Sequence, residues 1–119
     1  MGAHPTLISR NTRIVGDVHF TGELHIQGVV AGSIIAEGNS ELEICQNGRV
    51  EGVIQVPKVI VRGTVEGDIR CWKHVELCPS ANIQGNVFYH LIEVVKGAQV
   101  KGNLIYVAEA EKLMPHPPE

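Results

Sequence analysis

Aromatic residues make up only 4% of this 119-residue sequence, so its core is not built on large rings. What must fill it instead are 35 Val, Ile and Leu side chains, branched residues that suit strands. A basic excess is missing too. Ten Lys and Arg stand against 13 Asp and Glu, the net charge is -3, and no cationic stripe is interleaved with aromatics, which argues against nucleic-acid binding. No apolar run approaches the roughly 18–20 residues of a membrane span, and the N-terminus lacks a charged-then-apolar secretory pattern. A cytoplasmic location is the expectation. The three cysteines, Cys45, Cys71 and Cys78, are too few and odd in number for a disulfide framework and read as reduced thiols. Asn-Gly and Asp-Gly hairpin steps are almost absent. Asn47-Gly48 is the single instance, which weighs against an antiparallel sandwich.

What is present is a repeat: branched aliphatic, any residue, Gly, any residue, branched aliphatic. Its six copies are Ile14-Val15-Gly16-Asp17-Val18, Val30-Ala31-Gly32-Ser33-Ile34, Val50-Glu51-Gly52-Val53-Ile54, Val65-Glu66-Gly67-Asp68-Ile69, Ile83-Gln84-Gly85-Asn86-Val87 and Val100-Lys101-Gly102-Asn103-Leu104. The glycines recur every 15 to 20 residues, the period of a solenoid. A second element follows each of the first five copies, the apolar-x-apolar pairs Leu24/Ile26, Leu42/Ile44, Val59/Val61, Val75/Leu77 and, less cleanly, Ile92/Val94. Period-two alternation in both elements predicts strands with one buried face. Gly28, Gly48, Gly63, Ala81 and Ala98, each two residues before an aliphatic, mark bends between strands. The expected fold is all-β, a right-handed parallel β-helix of about six coils over residues 9–107. Residues 1–8 and 108–119 form short tails, the second containing proline. A left-handed β-helix of the acyltransferase kind needs a hexapeptide period, and its phase is lost between these copies. That enzyme-like fold and a monomeric β-helix adaptor are the alternatives.

These six copies, with Thr12-Arg13-Ile14-Val15-Gly16-Asp17-Val18 and Val65-Glu66-Gly67-Asp68-Ile69, resemble the bactofilins, small bacterial cytoskeletal proteins. The resemblance covers about Leu7 to Val107. It implies a right-handed β-helix that polymerises without nucleotide or cofactor. The filaments would be scaffolds at the inner membrane surface for cell shape or for cell-wall enzymes. The family's membrane attachment is attributed to an N-terminal segment, and Met1 to Thr6 is short and polar for that task.

Other motifs have plainer readings. Cys71, His74 and Cys78 lie within eight positions, as zinc ligands can, yet strand phase turns Cys71 inward and His74 outward. Asp17, Glu51, Glu66 and Asp68 flank the repeat glycines in outward phase and read as a solvated face, not as converging catalytic acids. No catalytic residue, metal ligand or cofactor site is assigned. Parallel strands leave unpaired backbone groups at both ends of a solenoid, and an uncapped end is a template for another subunit. Ile14, Val18 and Phe20 at one end and Leu104, Ile105 and Tyr106 at the other are therefore the candidate self-association residues.

Overall fold

The computed structural model of the chain describes residues 6–108. Eighteen short strands wind through six coils. The first coil holds β1 (Thr6–Ile8), β2 (Arg13–Val15) and β3 (Val18–Phe20), and the second β4 (Glu23–Ile26), β5 (Val29–Ala31) and β6 (Ile34–Ala36). The third has β7 (Glu41–Ile44), β8 (Arg49–Glu51) and β9 (Ile54–Gln55), and the fourth β10 (Lys58–Val61), β11 (Thr64–Glu66) and β12 (Ile69–Cys71). The fifth has β13 (His74–Leu77), β14 (Asn82–Gln84) and β15 (Val87–Tyr89), and the sixth β16 (Ile92–Val94), β17 (Gln99–Lys101) and β18 (Leu104–Tyr106). Each strand pairs in parallel with its counterparts in the neighbouring coils, which gives three six-stranded sheets around one column. The protein is an all-β parallel solenoid. Its first coil opens earlier than the sequence boundary at residue 9, because β1 pairs with β4 through Thr6↔Leu24 and Ile8↔Ile26. Thr6-Leu7-Ile8 shows no clear alternation, and only the pairing reveals the strand.

The aliphatic positions stack in register. Leu24, Leu42, Val59 and Val75 are aligned in the first sheet, Val30, Val50, Val65 and Ile83 in the second, and Ile34, Ile54, Ile69 and Val87 in the third. All twelve are at most 1% exposed, and burying each such side chain favours folding by about 1.5–3 kcal/mol. A column this narrow has room for branched aliphatics, which accounts for the shortage of rings.

The structure revises the reading of the repeat in one respect. Each copy is not one strand but two, broken at its glycine, so that Gly16-Asp17, Gly32-Ser33, Gly52-Val53, Gly67-Asp68, Gly85-Asn86 and Gly102-Asn103 form an unvarying two-residue corner between the second and third sheets. Gly67 shows why the position admits no side chain. Its φ is +146°, and a Cβ there would lie 2.2 Å from the carbonyl oxygen of Gly52 in the coil beneath.

The other two corners absorb the variation in coil length. Between the first and second sheets the corner is either a two-residue step, as at Arg62-Gly63, or a four-residue turn such as Cys45–Gly48, closed by the Gly48 N–H donating to the Cys45 carbonyl at 2.8 Å. The two kinds nest. A Cβ on Gly63 would meet the carbonyl oxygens of both Cys45 and Gly48 at 2.4 Å, so the short corner lies against the turn below it. Between the third and first sheets, the third coil turns in only Val56-Pro57, whereas the second spends Glu37–Ser40. Lys73 of the fourth coil donates across that short corner to the Asn39 side chain of the second.

Candidate functional site

Among the described residues, β1, β2 and β3 at one end and β16, β17 and β18 at the other each have a paired neighbour on one side only. Each end therefore presents three strand edges around a section through the aliphatic core.

At the N-terminal end, Ile14, Val18 and Phe20 pair with Val30, Ile34 and Ala36, which places all three in inward columns. They are partly buried against the core, unlike the buried residues they stack on. At the C-terminal end the three candidates do not behave alike. Leu104 and Tyr106 pair with Val87 and Tyr89 and continue inward columns, and with no further coil among the described residues they are 45% and 60% exposed. Ile105 pairs with Phe88, whose own partner is Arg70, so it belongs to the outer face of the third sheet. Arg70 lies over the Phe88 ring at 5.4 Å. Sequence reasoning joined Leu104, Ile105 and Tyr106 into one apolar patch, and strand alternation divides it. The same reasoning passed over Ile92, Val94 and Val100, which pair with Val75, Leu77 and Ile83 and complete the inward columns of the last coil. Their signal was the Ile92/Val94 pair and the opening Val100 of the sixth copy, both of which precede Leu104 in the last coil.

Tyr106 anchors its end. Its ring lies 5.9 Å from that of Tyr89 at a 57° tilt and 6.2 Å from that of His90 at 20°, while His90 Nδ1–H donates to the Val107 carbonyl at 3.2 Å. At the opposite end the Phe20 ring lines a shallow depression with His19, Thr21, Ile35, Ala36 and Glu37.

The polar motifs have other uses. Cys71 points into the column, with its thiol 3.0 Å from the Pro57 carbonyl and 2.9 Å from that of His74, and burial pushes its pKa up to about 11. His74 turns outward to Glu93 at 3.7 Å, and Cys78 sits at a corner, its thiol 3.6 Å from the Glu76 carboxylate. The sequence cluster is thus directed to three different places. Cys45 and Cys78 occupy one corner column two coils apart, with Arg62 between them, and both thiols are free.

The carboxylates beside the repeat glycines are more than a solvated face. Asp17 accepts the Ser33 N–H and Asp68 the Asn86 N–H, each at 3.1 Å, and Asn86 accepts the Asn103 N–H at 3.3 Å. The side chain of one coil thereby holds the backbone of the next. Glu51 and Glu66, in adjacent coils, share Arg49.

A family model described as bactofilin, polymer-forming cytoskeletal, matches residues 6–105, the span from β1 into β18. The chain belongs to the bactofilin family. No curated protein and no solved structure matched it. For a bactofilin, the two ends of the column are the surfaces through which the fold itself can be continued. Among the described residues, no helix is long and apolar enough to cross a membrane.

Proposed function

We propose that this bactofilin polymerises by stacking the open ends of its solenoid, without nucleotide, into filaments. The observation that carries the proposal is the pair of exposed core sections, each ringed by strand edges. An added subunit would extend three sheets at once and cover inward residues such as Leu104 and Tyr106. The coil is right-handed in this reading, which the family membership and the loss of any hexapeptide phase favour. The protein acts as a scaffold and not as an enzyme. Its carboxylates are engaged in the corner ladder and the Arg49 ion pairs, which favours a structural role for them. Its place is the cytoplasm, peripherally at the inner membrane surface, where the filament would organise proteins that set cell shape or build the wall.

Electron microscopy and sedimentation of the purified protein without added nucleotide test the assembly. Filaments are expected for the wild type. Tyr106→Arg, which places a charge on the core section, should abolish them with the β signal in circular dichroism intact. Ile105→Arg lies on the outer face and should weaken assembly less. Filaments that persist in Tyr106→Arg at wild-type concentration would shift the controlling end to Phe20, and discrete trimers of the wild type would refute polymerisation.

A further inference from the structure

Away from both ends, one group of side chains on the outer face of the first sheet has the composition and spacing of a metal site. Leu24, Ile26, Leu42 and Ile44 point into the column, so alternation turns His25 of β4 and Glu43 of β7 outward, and these two are direct partners across the sheet. Cys45 follows Ile44 at the corner, two residues beyond Glu43, and its N–H donates to the Ile26 carbonyl at 2.8 Å, which fixes the backbone that carries the thiol. The ligand atoms of His25, Glu43 and Cys45 all lie within 4.8 Å of one another, and His25 Nδ1 is 3.6 Å from Glu43 Oε1. Donors around a tetrahedral zinc lie roughly 3.3–3.8 Å apart for bonds of about 2.0–2.3 Å. Small side-chain rotations close the difference.

We propose that His25, Glu43 and Cys45 bind a zinc-class divalent transition metal, with water in the fourth position. An imidazole, a thiolate and one carboxylate select zinc-like ions over the hard ions magnesium and calcium, which take oxygen ligands. Binding involves no redox step. The Cys45 S–H proton passes to solvent as the S–Zn bond forms, and neutral His25 donates a nitrogen lone pair. Arg62, one coil on in the same corner column, lies 3.5 Å from Glu43 Oε2. It engages the carboxylate oxygen turned away from His25 and so orients Oε1 toward the metal, as partners behind a ligand commonly do. The site joins the second and third coils and stays accessible when the ends are covered.

Calorimetric titration of the metal-free, reduced chain with Zn²⁺ tests this, in a His4→Ala, His116→Ala background that removes the histidines outside residues 6–108. One ion per chain is expected, with affinity at least tenfold weaker in His25→Ala, Glu43→Gln and Cys45→Ser and unchanged in Cys78→Ser. Co²⁺ in place of Zn²⁺ should give a thiolate charge-transfer band that Cys45→Ser abolishes and Cys78→Ser keeps. Circular dichroism on every variant separates loss of the site from loss of the fold. Absence of zinc binding at micromolar concentration refutes the site. Binding indifferent to His25 and Cys45, or equally sensitive to Cys78, refutes it as well.

Discussion

Adding one methyl group to the glycine column should be severe in the middle of the solenoid and mild for folding at its start. In Gly67→Ala the new Cβ would sit 2.2 Å from the Gly52 carbonyl oxygen, and that oxygen belongs to backbone that has no rotamer to adopt. Restoring ordinary contact requires the two coils to part by about 1 Å at the corner, where strands lie roughly 4.8 Å apart. The bonds from the Gly52 N–H to Glu66 and from the Ile54 N–H to Asp68, now 3.0 and 2.9 Å, flank the site and would be lost. Two such bonds at about 1 kcal/mol each, with about 1–3 kcal/mol for holding alanine at this φ, give about 3–5 kcal/mol. Gly16→Ala also carries a positive φ, +125°, but no described coil lies beneath it and, among the described residues, a Cβ there meets nothing within 4 Å. Its folding cost should be limited to the conformational part, about 1–3 kcal/mol. Urea titration of both variants in the Tyr106→Arg background keeps assembly out of the measurement. If the two are destabilised to within about 0.5 kcal/mol of each other, the close approach of stacked corners is not what excludes side chains, and the reasoning fails.

Ile69→Asp should lower stability by several kcal/mol, since the carboxylate would enter an aliphatic column without a partner, whereas Asp68→Ala should cost about 1 kcal/mol for its bond to the Asn86 N–H. Equal thermal midpoints would show the inward phase to be misassigned. Alkaline pH should destabilise the fold through Cys71. Its thiol is held neutral when folded, with a pKa raised from 9.0 to about 11, so its contribution is complete below pH 9 and is lost as pH rises through 11, about 3 kcal/mol in total. Cys71→Ser should flatten that part of the profile, and a slope identical to the wild type would count against the burial argument. Cys45 and Cys78, two coils apart in one column, are separated by roughly 9–10 Å of strand spacing. Non-reducing mass spectrometry should find no bridge between them, and a bridge in the native protein would contradict the register.

The repeat made the solenoid legible because it pairs two physical requirements at a fixed offset, a side chain that fills the column and a residue that lets corners stack. Val65-x-Gly67-x-Ile69 states both. Corner lengths were legible only indirectly, in the six positions from Ile44 to Val50 against the four from Val61 to Val65, because Gly48 and Gly63 both stand two residues before the aliphatic. The division of Leu104, Ile105 and Tyr106 between core section and outer face required the register to be known, and so did the meeting of His25 with Glu43. Those two are 18 positions apart in sequence, a distance set by the sum of three corners. No local pattern encodes such a sum.

The decline in burial toward the ends has a thermodynamic meaning of its own. Inward residues of the middle coils are fully enclosed, while Val94, Leu104 and Tyr106 are 45–60% exposed and Ile14 and Val18 are only partly covered. In a stack where each coil touches only its neighbours, the terminal coils are the ones that open by themselves, with the smallest free energy. Joining two ends converts two such coils into interior ones. Amide hydrogen exchange should therefore be fast in β2, β17 and β18 of the Tyr106→Arg monomer and slow throughout the filament, so that assembly is felt inside each subunit as the disappearance of its weakest layers.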